Sequence, residues 1–271
     1  MPDKPYHQRA ESWGRKAEDY ESLFVPLSAR AAQAAVELLD VRPGMAFLDV
    51  ATGTGAVALA AARRGARVTA IDFAPGMLEV LRDKLAREAI DNVELRQMDG
   101  QSLAFDAEEF DAAGSGFGLV FFPDLAKGLD EMLRVLKTGG RAFVSTTGHP
   151  GSSQLAALIG EAMGRVLGGD SGRSPTGASI AIGSSAQLRA LLDAAGFVDT
   201  RVEACRVAWP VSDPGTFWDR WVIESPPSAT AMSQLPPAIR TAGRAEFVAL
   251  VERAGVSEFS TEVLIGLGTR P

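Results

Sequence analysis

Residues 46–58, Ala-Phe-Leu-Asp-Val-Ala-Thr-Gly-Thr-Gly-Ala-Val-Ala, constrain this chain more than any other stretch, because a short apolar run meets two glycines and turns helical. Phe47, Leu48 and Val50 read as a buried strand, and Val57 to Ala62 as the apolar start of a helix. Gly53 and Gly55 allow backbone torsions closed to other residues and let a ligand approach the main chain. The helix start offers unpaired N–H groups to a polar cofactor. Asp49 stands at the mouth of the same turn. A carboxylate there suits a ligand carrying an ammonium or sulfonium and would repel a pyrophosphate.

Read alone, Gly53-x-Gly55-x-x-Ala58 also matches a dinucleotide-binding fingerprint, with Asp72 at the end of the next strand as a ribose ligand. Asp49 ahead of the turn and the order of the later motifs separate the two readings.

The order of elements supplies the frame. Leu27–Leu39 reads as an Ala-rich helix ended by the turn Val41-Arg-Pro-Gly44. Val68–Ile71 is a second strand closing on Asp72, and Pro75 opens the next helix, whose Met77, Leu78 and Leu81 face inward. Val93 and Leu95 form a third strand ending at Met98-Asp99-Gly100. A fourth, Phe110–Phe117, is thinned by Ala112, Ala113 and Gly114. Leu125, Leu129, Met132, Leu133 and Leu136 follow helical spacing, with Gly139-Gly140 expected to end that helix and Arg141–Thr147 to form the fifth strand.

Alternation of strand and helix from 45 to 147 argues for parallel strands covered on both faces, with the ligand beyond their carboxyl ends. Asp49, Asp72, Asp99, Phe117 and Thr147 fall at those ends. Residues 166–185, rich in Gly and Ser, read as a mobile loop. Ser184–Gln187 fits a capping box, and Gly196 ends the helix that it opens. Val202–Val207 and Glu262–Leu267 read as the last two strands, with helical pieces over 210–255 between them.

Composition bounds the partners. At 271 residues and 46% hydrophobic, the chain is long enough for a large core and is expected to be one folding unit. A net charge of −7 without a dense Lys/Arg run disfavours nucleic acid. One cysteine, Cys205, excludes an internal disulfide, and with His7 and His149 far apart no metal site is expected. No apolar run reaches membrane-spanning length and the first residues lack a signal-peptide pattern, so a cytoplasmic protein is expected.

Four motifs in order, Leu48-Asp-Val-Ala-Thr-Gly-Thr-Gly55, Val68-Thr-Ala-Ile-Asp-Phe-Ala-Pro-Gly-Met-Leu78, Met98-Asp-Gly-Gln-Ser-Leu103 and Leu133-Arg-Val-Leu-Lys-Thr-Gly-Gly140, resemble those of class I S-adenosylmethionine-dependent methyltransferases. Within that group the chain is similar to the ubiquinone/menaquinone C-methylase-like small-molecule enzymes. The likeness runs from about Trp13 to the C-terminus and is strongest over 46–147. It implies a Rossmann-like, doubly wound, mostly parallel seven-stranded α/β sheet with an antiparallel last strand. A helical N-terminal cover (1–40), a cofactor-binding core (41–150) and substrate-side loops with a helical insertion before the last strands (151–271) complete it.

The resemblance further implies that Asp49, Ala51, Gly53 and Gly55 line the methionine part of S-adenosyl-L-methionine. Asp72 would hold the ribose hydroxyls, Phe73 would pack on the adenine, Asp99 and Gly100 would read its edge, and Phe117 would close the site near the sulfonium. Met77 belongs with these cofactor-binding residues. Ala51 stands where the family often has glycine.

For the acceptor, Trp13, Tyr20 and Phe24 share one side of an N-terminal helical segment that is either packed core or a cover over the cofactor. Phe217, Trp218 and Trp221 are likewise a packed helix or a substrate cover, and Tyr20, Trp218 and Trp221 are the candidate acceptor residues. Phe121 and Phe122 read as core. His149, after the fifth strand, is the candidate general base, the alternative being a surface-loop histidine. The expected activity is methyl transfer to a small, apolar or aromatic acceptor, with S-adenosyl-L-homocysteine as product and a monomer or homodimer as the working form. The rival expectations are a protein that holds the same cofactor without transferring methyl, or acts only as a binding module, and a nicotinamide oxidoreductase.

Overall fold

A computed structural model describes residues 8–168, 182–226 and 228–271. His7 and the central part of the expected Gly/Ser-rich loop, 169–181, lie outside the described residues. In chain order the elements are α1 (Ala10–Gly14), α2 (Ala17–Leu23), α3 (Val25–Leu38), β1 (Ala46–Val50), α4 (Ala56–Arg63), β2 (Arg67–Asp72), α5 (Pro75–Arg87), β3 (Val93–Gln97) and β4 (Phe110–Gly116). There follow α6 (Leu125–Val135), β5 (Leu136–Thr147), α7 (Gln154–Leu167), α8 (Ser185–Ala194), β6 (Val198–Pro210), α9 (Pro214–Phe217), a π-helix (Trp218–Ile223), α10 (Ala229–Ser233), α11 (Pro237–Arg253) and β7 (Glu258–Thr269).

The strands form one seven-stranded sheet in the order β3-β2-β1-β4-β5-β7-β6. The first five run parallel, and β7 lies antiparallel between β5 and β6. The Rossmann-like sheet with an antiparallel last strand is therefore present as expected. Because β1 pairs with both β2 and β4, the order of strands reverses beside it, and the crevice beyond its carboxyl end is the site that this topology makes.

Alternation along the strands feeds two cores. Phe47, Val68, Ala70, Ala112 and Phe143 pack with α3, α4, α7 and α11 on one face. Leu48, Val50, Ile71, Ala113 and Val144 pack with α6 and α8 on the other. The thin fourth strand has a cause in this packing. A Cβ on Gly114 would overlap the ring of Phe143, among the largest fully buried side chains, so β4 must be small where β5 is large.

Two boundaries differ from expectation. The sixth helix ends at Val135 rather than at Gly139-Gly140, and β5 begins at once with Leu136, paired to Phe110. The Glu108 and Glu109 amides donate to the Arg134 and Val135 carbonyls, and the Arg270 guanidinium also caps Arg134, so these helix-end carbonyls are satisfied without continuing the helix. The last strands also outrun their apolar cores, because β6 and β7 pair from Val198↔Thr269 to Pro210↔Glu258.

The N-terminal segment breaks into α1 and α2 at Arg15-Lys16. Even so, Trp13, Tyr20 and Ala17 meet Phe73, Ala74 and Met77 in a small cluster of their own over the start of α5.

Candidate functional site

The turn after β1 is built by backbone geometry. Gly53 (φ 55°) and Gly55 (φ 92°) are left-handed, and so is Ala51 (φ 57°), where a side chain is carried at a cost. A Cβ on Gly55 would run into the Leu81 side chain, so α5 presses directly on the turn. Across the crevice Phe117, after β4, is also left-handed (φ 61°), an aromatic residue in a conformation that bulky side chains rarely adopt.

Two carboxylates meet at this turn. Asp49 is fully buried. Its Oδ2 accepts from the Thr52 hydroxyl (2.6 Å) and the Ala58 amide (2.9 Å), while its Oδ1 is buried with no partner. Burial pushes its pKa up to about 7, against the pull of those two hydrogen bonds and with a smaller upward push from Asp72. Asp72 accepts from the Gly53 amide (2.8 Å) and the Ala74 amide (2.9 Å), tying the glycine turn to the end of β2. Burial raises it to about 6. Even with the Phe73 amide also directed at it, these amides do not fill the roughly four acceptor positions of a carboxylate. The Thr54 hydroxyl is a second buried polar atom without a partner.

Asp49, Thr52, Thr54, Tyr20 and Phe117 all line one cleft, whose free space is about 10 Å³, near the least that holds a single water. Tyr20 fills it from the cover: a Cβ on Gly53 would touch the Tyr20 ring at 3.8 Å. Burial raises the Tyr20 pKa far above its ordinary value, helped by the charges of Asp72, Glu21 and Asp49. The phenol therefore stays protonated and can donate.

Beyond Tyr20 the lining turns aromatic. Trp13 packs on Tyr20 (6.2 Å between ring centres) and on Phe121 (5.4 Å). Phe24 packs on Tyr20 (5.0 Å) and edge-on to Phe117 (5.3 Å), and stacks on Trp221 (5.1 Å, interplanar 11°). Trp221 belongs to the π-helix, an uncommon geometry that recurs at functional sites. A second small cavity, walled by Trp13, Tyr20 and Trp221 together with Lys16, Asp19 and Arg220, also borders Tyr20. Tyr20 thus lines both cavities.

The remaining candidates fall as follows. Ala51 and Gly53 join Asp49 and Asp72 at the turn. Phe73 and Met77 sit under α1 and α2. Gly100 lies against Phe122 and Val50, and Asp99 is exposed, its carboxylate accepting from the Gln101 backbone amide (2.9 Å) and side-chain amide (3.2 Å). Trp218 lies elsewhere: fully buried, it packs against Phe247 and beside Met163 and Gly243, so of the two tryptophans only Trp221 reaches the aromatic group. The reason is the π-helix, which directs 218 to α11 and 221 to the cover. His149 is exposed at the end of β5, and its Nδ1 accepts the Gly151 amide (3.0 Å).

Several site residues were not singled out from sequence. Thr52 and Thr54 lie inside the glycine motif, where only the glycines and the acid had been weighed. Phe121 had been read as core, and Phe24, named with Trp13 and Tyr20 as packed core or cover, stands among the rings around Tyr20. The signal for Phe24 was already there, in its spacing from Trp13 and Tyr20.

The buried orphan oxygen of Asp49, the open acceptor positions of Asp72 and the left-handed turn between them leave this cleft with acceptors free for a donor-bearing ligand. Residues 48–144, from β1 into β5, match the family model described as a methyltransferase domain. The likeness carried by the four motifs is thereby borne out over that segment.

More particularly, 107 residues are 47% identical to a demethylmenaquinone methyltransferase of Clavibacter sepedonicus, covering 40% of this chain and 43% of that protein. The chain spans less than half the length of that relative. Among solved structures, the fold is shared with the YcgJ protein of Bacillus subtilis (TM-score 0.60, 17% identity, 89% of this chain and 98% of that one). It is shared too with the [4+2]-cyclase SpnF (TM-score 0.54, 24% identity, 90% and 80%). No helix among the described residues is long and apolar enough to cross a membrane.

Proposed function

We propose that this chain, as one folding unit, is an S-adenosylmethionine-dependent methyltransferase acting on a small apolar or aromatic acceptor. The observation that carries the reading is the buried, unpartnered Oδ1 of Asp49 beside a left-handed glycine turn. A buried acceptor without a donor costs free energy unless a ligand supplies one. When bound, S-adenosylmethionine supplies an electrophilic methyl group on a sulfonium.

The chain's own residues do the rest. Asp49 and Thr54 offer the free polar atoms that an amino-acid moiety needs. Asp72, held by the Gly53 and Ala74 amides, presents its open acceptor positions to vicinal hydroxyls. Phe73 and Met77, under the cover, and Gly100 with Asp99 form the surroundings for a base. The rings of Tyr20, Phe24, Phe117 and Trp221 exclude water and orient a flat or apolar acceptor. The demethylmenaquinone methyltransferase relative makes a quinol-like ring the first acceptor class to try. No step is given to His149, whose Nδ1 is engaged and whose ring faces solvent.

A labelled-methyl assay over quinols, phenols, amines and carboxylic acids tests the proposal, with calorimetry against S-adenosylhomocysteine and NADH beside it. Binding of the first ligand only, with acceptor-dependent label transfer, is expected. Binding of NADH alone would sink it. The neighbour named as a [4+2]-cyclase supports a second reading, in which the cofactor is held but methyl is not transferred. S-Adenosylhomocysteine that fails to accumulate while an acceptor is consumed would select that one.

A further inference from the structure

On the inward face of α5, in line with Met77 and Leu81, stands a lysine. Lys84 is 6% exposed, and its ammonium has three protons to place. The described structure uses all three: Nζ donates to the Thr54 carbonyl (2.8 Å) and to both carboxylate oxygens of Glu21 (2.9 and 3.0 Å). Thr54 lies between the two glycines of the ligand turn, and Glu21 lies on α2 in the cover. One buried cation therefore joins the turn to the cover.

Other contacts point the same way. The α5 helix already presses Leu81 on Gly55, so Lys84 and Leu81 brace consecutive residues of the turn. At the other end of the cover, a Cβ on Gly76 would stand 2.7 Å from the Gly14 Cα, so α1 lies backbone to backbone on the first turn of α5. Other ion pairs of the cover, Lys16 with Asp19 and Glu224 and Arg220 with Asp19, are partly exposed and expected to hold weakly. Lys84–Glu21 is the pair whose breaking leaves a charge in a dry place.

The closed cleft has room for about one water, so a nucleoside-sized ligand enters and leaves only when α1 and α2 lift. Lifting them takes Glu21 away from Lys84. The ammonium is then left with the Thr54 carbonyl alone until water reaches it. Opening the cover therefore removes two of the three hydrogen bonds that hold the ammonium against the turn.

We infer that Lys84 is a positioning residue. It fixes the Thr54 carbonyl in the ligand turn and, through Glu21, makes that fixation depend on a closed cover, so that the pair sets how long an S-adenosyl ligand stays bound. This rests on the function proposed above. It concerns residues outside all four sequence motifs (Glu21, Lys84) acting on one inside (Thr54).

Three variants test it: Glu21→Gln, Lys84→Met and the double substitution. The readouts are the dissociation rate of S-adenosylhomocysteine, hydrogen exchange over residues 10–24, and the urea unfolding midpoint. Glu21→Gln is expected to speed dissociation by about tenfold, the scale of a typical coupling between sites. It should also speed exchange in the cover and lower the unfolding midpoint, because the Lys84 charge is left buried, whereas Lys84→Met, which removes that charge, should lower it less. In the Lys84→Met background, Glu21→Gln should add nothing further, because the partner is already gone. Dissociation that is unchanged in Glu21→Gln, or effects that add in the double variant, would overturn the inference while leaving the proposed function standing. A wild-type protein that binds no S-adenosylhomocysteine would overturn the proposed function itself, and this inference with it.

Discussion

Asp49 should make ligand binding steeply dependent on pH. Its carboxyl titrates at about 7 in the free cleft because it is buried, and Asp72 at about 6. A ligand ammonium needs the carboxylate, so only the ionised fraction of Asp49 is ready to bind it. With the pKa near 7, that fraction is about 1% at pH 5 and about half at pH 7, so affinity should rise about 50-fold over two pH units and level off above about pH 8. At pH 6 about 0.9 proton should be released per ligand bound, since the incoming cation pulls the pKa of Asp49 back down. Isothermal titration of S-adenosylhomocysteine from pH 5 to 8, in two buffers of different ionisation enthalpy, reads both quantities. Asp49→Asn should bind more weakly at pH 8 and lose most of the slope, keeping only the shallower part that Asp72 contributes below pH 6. A wild-type affinity flat between pH 5 and 7, or an Asn variant that keeps the full slope, would refute the assignment of Asp49 as the ammonium ligand.

The same raised pKa has a consequence for stability without ligand. An acid whose folded pKa lies above its unfolded value takes up a proton on folding, so its contribution falls as pH rises from about 4 to about 7, by up to ~4 kcal/mol for a shift of this size. Asp49→Asn should therefore raise the urea midpoint of the free protein at pH 8 and change it little at pH 4. Gly114→Ala should cost about 1–3 kcal/mol, because the new methyl overlaps Phe143, and Phe143→Leu should recover part of the loss. Ala51→Gly should stabilise by about 1 kcal/mol or less, the relieved left-handed strain being partly offset by a freer unfolded chain; chemical denaturation reads it. Trp221→Leu should raise KM for apolar acceptors several-fold while S-adenosylhomocysteine affinity stays within about twofold, since Trp221 stacks on Phe24 away from the carboxylates. His149→Ala should leave the pH profile of turnover unchanged.

The parts of this fold that repeat locally were legible in the sequence. Short apolar strand runs such as residues 47–50, Pro75 at a helix start and Ser184 three residues ahead of Gln187 each carry their signal within a few positions, and the structure has all three. What depends on distant neighbours was not. The end of α6 is fixed by Arg270 and by the pairing of Leu136 with Phe110, neither visible from the helical spacing of leucines. Trp218 and Trp221 look alike in sequence and part company because one more residue per turn in a π-helix changes which faces they share. The acids of the site showed because backbone turns set them at strand ends. Its cover residues come from a segment whose aromatic spacing fitted two accounts equally. Lys84 passed unnoticed in line with Met77 and Leu81, because what it binds lies 63 residues earlier, at Glu21, and 30 residues earlier, at Thr54.

Tyr20 brings the two halves of the site together. On one side it faces buried acids with pKa values raised towards neutrality, a place that welcomes a cation; on the other it meets stacked rings, a place that welcomes an apolar ring. The proposed reaction between a cationic donor and an apolar acceptor has to happen where those two surroundings touch, and in this chain they touch at the side chain of a short helix. That helix is held by the Lys84–Glu21 ion pair as well as by the apolar contacts of Ala17 and Tyr20. Buried ion pairs contribute little net stability, yet they penalise every arrangement that separates the partners. Such a bond suits a part that must come away whole and return to the same place, which is what a cover over a cleft of about 10 Å³ has to do each time a ligand passes.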